Sequence, residues 1–167
     1  MVSYMQEATV TKVDKALVGA AGEHLVLSRL LTRGLLASPA PRGVRKVDIL
    51  VNSLDDRAPL LIQVKATMSG VRQGWPMNAK HERTRDADIF YCCVDLKPEH
   101  PTVHVIPAAI VAEVLTVDNQ RWLDNPGRNG QEHKSTSMRK LRPACLGQEP
   151  DWLDQYLEAW QLLDGSQ

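Results

Sequence analysis

Residues 45–67, RKVDILVNSLDDRAPLLIQVKAT, constrain the fold more than any other stretch of the chain. Two short apolar runs, 47–51 and 60–66, flank a polar connector that holds Asn52, Ser53, Asp55, Asp56 and Pro59. That alternation predicts strand, turn, strand. Each strand carries a residue that an interior strand should avoid: Asp48 in the first, Gln63 and Lys65 in the second. Because side chains alternate across a strand, Gln63 and Lys65 share one face while Ile62, Val64 and Ala66 share the other. An acid, an amide and an amine on an apolar hairpin are costly unless they serve one another or a ligand.

The rest of the chain must supply what that hairpin packs against. At 167 residues it suits a single domain with its own core. Net charge is zero, so attraction to nucleic acid has to come from local patches. No apolar run approaches the roughly 18 residues needed to span a membrane, and the N-terminus, MVSYMQEATVTK, lacks the apolar core of a signal peptide. Cys92, Cys93 and Cys145 form no CxxC pair, which suggests reduced, buried thiols and a cytoplasmic protein.

In chain order, the first ten or so residues are expected to be loosely docked. Asp14 suits the N-cap of a helix of about twenty residues closed by Gly34. Ala16, Leu17, Ala20, Leu27, Leu30 and Leu31 fall on one stripe of it at 100° per residue, with Glu23 inside that stripe. Gly19, Ala20, Ala21 and Gly22 would let the helix approach a sheet closely and deliver Glu23 to it; without GxxxxGK[ST] they form no phosphate loop. A loop is expected over 35–46 and another over 68–76, then a short helix from Asn78 to about Arg85. Residues 89–96 read as a fully buried central strand, with 102–106 beside it, followed by a helix of about nine residues after Pro107. Residues 118–150 read as a long polar loop; from Arg121 to Arg142 it has six Lys or Arg against two acids. Trp152, Leu153, Tyr156, Leu157, Trp160 and Leu163 recur at helical spacing and predict a C-terminal helix over 151–164 whose aromatic stripe is core. This order implies a mixed sheet with helices on both faces, an α/β/α sandwich.

Glu23 on the first helix, Asp48 on the next strand and Gln63-Val64-Lys65 on the following one resemble the PD-(D/E)XK nuclease superfamily. The resemblance spans residues 14–106 and implies a restriction-endonuclease-like αββαβ core, here with a C-terminal helix added. Val47 stands where that pattern has Pro, and Gln63 where it has an acid; some homing endonucleases are similar in carrying Gln there. The resemblance implies a nuclease acting on DNA, with Glu23, Asp48, Gln63 and Lys65 as catalytic residues. Asp48, Gln63 and Glu23 would be ligands to Mg²⁺ (or Mn²⁺). The Gln63 carbonyl oxygen can replace a carboxylate oxygen as a hard ligand at the loss of one charge, which Glu23 could restore. Lys65 would orient the attacking water and stabilise developing charge. Lys80 and His81 lie where such nucleases often place a basic side chain near the phosphate.

Other readings stand beside this one. Asp48 and Lys65 could form a cross-strand ion pair on an exposed edge with Gln63 merely solvated. A catalytically silent protein of the same fold, binding nucleic acid or a protein partner, is favoured by Gln63 and the neutral charge. His24, His100, His104 and His133 show no zinc-ligand spacing, and no GxSxG or Cys–His arrangement argues for covalent catalysis. Arg72 in the loop after the hairpin, and Arg128, Lys134, Arg139, Lys140 and Arg142 in the basic segment, are candidate contacts to a phosphate backbone. A homodimer would bring two sites to two strands, although no residue demonstrates one.

Overall fold

A computed structural model describes residues 13–41, 43, 47–52, 58–97 and 99–164. The N-terminal stretch expected to be loosely docked lies outside these residues, as do Ser53, Asp55 and Asp56 of the hairpin connector. The order of elements is helix α1 (Lys15–Leu31), strands β1 (Leu36–Pro39), β2 (Ile49–Asn52), β3 (Leu60–Thr67), β4 (Trp75–Asn78), β5 (Ile89–Asp95) and β6 (Thr102–Pro107), helix α2 (Ala108–Asp124), strand β7 (Met138–Leu141) and the short helix α3 (Gln161–Asp164).

The main sheet runs β1-β2-β3-β5-β6. Its β3–β5 pair is parallel and the others are antiparallel, so the sheet is mixed. One face, with Ile49, Val51, Ile62, Val64, Phe90, Cys92, Val94, Val103 and Val105, packs against Val26 and Leu30 of α1 and against Trp160 and Leu163. The other, with Ile89, Tyr91, Cys93 and Ile106, packs against Val111, Val114 and Leu115 of α2 and against Trp75, Met77 and Leu141 of a two-stranded β4–β7 ribbon. This is the α/β/α sandwich. Every residue of β5 is buried, as its unbroken apolar run requires of a central strand covered on both faces. Cys92 and Cys93 point to opposite faces, and all three cysteines are free and buried.

Several expectations need correction. The α1 helix starts at the Asp14 cap, whose carboxylate accepts the Ala16 N–H, and it ends in a turn where Gly34 has φ 78°. Its buried stripe, however, is Gly22, Val26 and Leu30; Leu17 and Leu31 are 64% and 49% exposed. The small residue Gly22 sets the face that reaches the sheet, and Leu17 and Leu31 point away from it. The loop over 35–46 contains the edge strand β1. The loop over 68–76 holds a short 3-10 turn (Val71–Gln73) and the start of β4, and the short helix after Asn78 is a 3-10 helix, Ala79–Arg83. Helix α2 is 17 residues, not about nine, and the polar stretch that follows contributes β7.

Over the described residues 151–164 no continuous helix forms. The chain turns through a 3-10 segment (Asp154–Tyr156), and Leu157 bridges His104 on the outer edge of β6. Glu158 takes φ 51° and donates its N–H to the Val103 carbonyl at 2.7 Å. The Glu158 carboxylate then accepts from Arg29 Nη1 (2.9 Å), the Val103 N–H (2.9 Å) and Trp160 Nε1 (2.7 Å). An edge strand presents unpaired backbone groups, and satisfying them outweighs the helical periodicity. The aromatic residues Trp152 and Trp160 are core as expected; Leu157 is exposed.

Candidate active site

The hairpin strands part at Asp48. The β2–β3 ladder closes at Ile49 opposite Ile62, and the Asp48 N–H donates to the Ile62 carbonyl at 2.9 Å. One residue further along β3, the Val64 N–H is met by the Asp48 carboxylate, Val64 N to Oδ2 at 2.7 Å. The side chain therefore replaces the backbone acceptor where β2 leaves the sheet. Oδ2 is fixed by this bond, and among the described residues Oδ1 has no hydrogen-bond partner.

Gln63 and Lys65 project from β3 on the face away from α1, level with Tyr91 and Cys93 of β5. Gln63 is 7% exposed, yet its amide makes no hydrogen bond among the described residues. Its amide oxygen and nitrogen are not among the fully buried unpaired atoms; they stay open to solvent, and so to a ligand that arrives from outside. Lys65 is half-buried. Burial pushes its ammonium below the usual lysine range, an effect opposed by the carboxylates of Asp48 and Glu23 and reinforced by the nearby Lys80.

Glu23 comes from the other layer. Gly22 lies so close to β3 that a Cβ there would fall 2.5 Å from the Ala66 Cβ. Glu23, one residue and 100° further round the helix, flanks this contact. It is exposed, and desolvation followed by repulsion from Asp48 raises its pKa, with His24 and Lys65 pulling the other way. Glu23, Asp48 and Lys65 thus lie within one another's fields, drawn from α1, the β2 approach and β3, and Lys80 of the 3-10 helix lies within that of Lys65. The expectation that Gly22 brings the helix to the sheet holds for that residue; Gly19 touches nothing within 4 Å.

The Asp48 carboxylate repels that of Glu23, and a cation between two carboxylates relieves such repulsion. The donor set suits a hard divalent ion: two carboxylates and an amide carbonyl. Among the described residues no group of three or more His, Cys, Asp or Glu is placed to hold a metal, so the third donor would have to be Gln63.

The outlying candidates separate. His81 is 3% exposed and hydrogen-bonds through Nδ1 to the Tyr91 hydroxyl at 2.6 Å; it is a buried residue behind the site and not the surface base expected. Burial also pushes Tyr91 up to about 12. Lys80 is exposed beside Lys65. Arg72 is exposed on the 3-10 turn beyond the end of β3, and Lys134 is exposed in the segment before β7. Arg139 is largely engaged: Nε binds the Glu82 carboxylate and Nη1 donates to the carbonyls of Thr136 and Met138. Lys140 is exposed on β7. The sequence reading missed Tyr91, hidden inside an apolar strand, and Trp122, whose exposure on α2 no periodicity announces.

No protein-family model matches the sequence, and no curated protein does. Solved structures do. The bacterial homing endonuclease I-Ssp6803I aligns with a TM-score of 0.55 at 18% identity, over 92% of this chain and 93% of its own. The fold is restriction-endonuclease-like. Hjc from Archaeoglobus fulgidus, a Holliday junction resolvase, aligns with a TM-score of 0.42 at 18% identity, over 80% of this chain and 92% of its own. Among the described residues no helix is long and apolar enough to cross a membrane.

Proposed function

We propose that this protein is a divalent-metal-dependent nuclease that hydrolyses phosphodiester bonds in DNA. The observation that carries the reading is the meeting of Glu23, Asp48 and Lys65, with Gln63 on the same face of β3 as Lys65. Asp48, the Gln63 carbonyl and Glu23 would hold Mg²⁺ or Mn²⁺, which would supply charge neutralisation at the phosphate and at the leaving oxygen. The chain's own residues do the rest. The Lys65 ammonium, held between two carboxylates, can hydrogen-bond the attacking water and then stabilise negative charge as it develops. Lys80 adds a positive charge on the phosphate side. Val64 N–H locks the Asp48 rotamer, so the site is assembled before substrate arrives. Lys80, Lys140, Lys134 and Arg72 are the exposed cations that could meet the nucleic-acid backbone; Arg139 is occupied by Glu82.

A second reading rests on Gln63. With a neutral third donor the set carries two negative charges, and a protein of this fold that has lost turnover would bind DNA without cutting it. Incubating the protein with supercoiled, linear and single-stranded DNA, in Mg²⁺, Mn²⁺ or EDTA, tests both. Metal-dependent cleavage lost in Asp48→Asn and Lys65→Ala supports the nuclease. Cleavage that survives in those variants would sink the catalytic assignment. Salt-sensitive binding with no cleavage under either metal would favour the silent protein.

A further inference from the structure

We infer that a cleft on the far side of the β4–β7 ribbon binds an unpaired nucleotide of a single-stranded nucleic-acid segment, with its base on Trp122 and its phosphate on Lys140 and Arg142. The inference rests on the nuclease reading only for why a nucleic acid is present. The cleft, about 420 Å³, lies between the C-terminal half of α2 and β7, within the roughly 300–1,000 Å³ of ligand-binding clefts. Trp122, Met138 and Pro76 give it an apolar wall, and Arg139, Lys140 and Arg142 a basic one.

Three observations set this cleft apart from an ordinary surface hollow. Trp75, Trp152 and Trp160 are buried, whereas Trp122 is 37% exposed. Its ring stacks on His133, centroids 4.1 Å apart and planes within 19°; His133 does not line the cleft, so the indole is braced from outside it. Next, the lining is net basic: Arg139, Lys140 and Arg142 stand against one acid, Asp118, whose carboxylate accepts the Leu146 N–H at 2.6 Å, and Arg139 is paired with Glu82. Lys140 and Arg142 remain to meet an anion. Finally, the half-buried Arg142 lines the cleft together with Lys140, and a guanidinium holds a phosphate through charge-assisted hydrogen bonds.

The aromatic wall decides between single strand and duplex. In a duplex the base faces are stacked on one another, so a ring inside a cleft meets only backbone; an unpaired base offers its face. The ribbon also links the cleft to the hairpin. Lys140 pairs with Pro76 and Met138 with Asn78, whose carboxamide accepts the Lys80 N–H at 3.1 Å, and Lys80 stands beside Lys65. A substrate with a duplex at the hairpin and an unpaired tail or branch would occupy both ends of this track.

Fluorescence anisotropy in EDTA, with one labelled oligonucleotide presented single-stranded or as a blunt duplex, tests the idea without cleavage. Trp122→Ala should weaken single-strand binding about tenfold or more and duplex binding less than about twofold, while Trp122→Phe retains most of it. Lys140→Ala should weaken binding and lower the salt slope by about one. Equal losses for both substrates, or none, would overturn the inference. Should Trp122→Ala fail to fold, photo-crosslinking of an iodouracil single strand to the unaltered protein decides: adducts at Trp122 support the site, and adducts only elsewhere refute it. Cleavage that is intact with binding indifferent to Trp122 overturns the cleft alone. The predicted binding pattern with no cleavage in any metal overturns the nuclease reading and leaves the cleft.

Discussion

The close approach of α1 to the sheet can be tested by one substitution made at two glycines of the same helix. At Gly19 nothing lies within 4 Å of an added Cβ. Gly19→Ala therefore gains helix propensity and nothing else, a stabilisation of about 0.5–1 kcal/mol. At Gly22 the added Cβ would sit 2.5 Å from the Ala66 Cβ and 3.5 Å from Val64 Cγ1. Carbon atoms rest at about 3.5–4.0 Å, so helix and strand must separate by roughly 1 Å. Ala66 has no rotamer with which to yield, and the shift must come from backbone. Overpacking of this kind costs about 1–3 kcal/mol, which exceeds the propensity gain. Urea or thermal unfolding should show Gly19→Ala melting a few degrees higher and Gly22→Ala a few degrees lower, at about 2–4 °C per kcal/mol for a chain of this size. The displacement also carries Glu23 away from Asp48, so Gly22→Ala should lose cleavage on the order of 100-fold and Gly19→Ala none. Equal stabilisation by the two substitutions would refute the close contact, and full activity in Gly22→Ala would refute the role given to Glu23.

Asp48→Asn keeps an acceptor for the Val64 N–H and should fold normally while losing cleavage; Asp48→Ala should in addition lose about 1–3 kcal/mol by stranding that N–H, read as the difference in urea midpoint between the two. Gln63→Glu adds the third negative charge and should lower the Mg²⁺ concentration for half-maximal cleavage, at the expense of stability in metal-free buffer; an unchanged metal requirement would remove Gln63 from the donor set. The pH–rate profile should be bell-shaped. Its acid limb is displaced above the ordinary glutamate value of 4.5, because burial and Asp48 raise Glu23; its alkaline limb falls below 10.5, because burial lowers Lys65. The raised Glu23 value also means that the folded state loses stability as pH rises through it, so Glu23→Gln should be inactive yet more stable at neutral pH, by less than about 1 kcal/mol for so exposed a group; a destabilised Glu23→Gln would contradict the repulsion from Asp48.

What the sequence made legible follows from how local each cause is. The hairpin, the Asp14 cap, the buried strand β5 and the shared face of Gln63 and Lys65 all depend on alternation and capping within a few residues, and the structure has them. The face of α1 was misread because hydrophobicity was taken as the measure of contact. Gly22 touches the sheet because it is small, and Leu17 is exposed although it is apolar. Near the C-terminus a helical period of aromatic residues is real as a burial pattern and false as a helix. The deciding partner, the unpaired edge of β6, lies about fifty residues earlier in the chain. His81 shows the same limit from the other side, since its partner Tyr91 lies within a strand that reads as wholly apolar. The site itself was legible as residue types because a carboxylate, an amide and an amine on apolar strands need an explanation wherever they occur. Their convergence was not legible, since it depends on β2 leaving the sheet at Asp48, a departure made tolerable by one side-chain bond to the Val64 N–H. That bond also sharpens the question about Gln63. On the proposed reading, with Oδ2 of Asp48 held by the Val64 N–H, Oδ1 and Glu23 would bring the negative charge to a cation, and an amide in the third place would make metal affinity depend on Glu23. The helix contact at Gly22 would then be the part of the fold on which the proposed chemistry most depends.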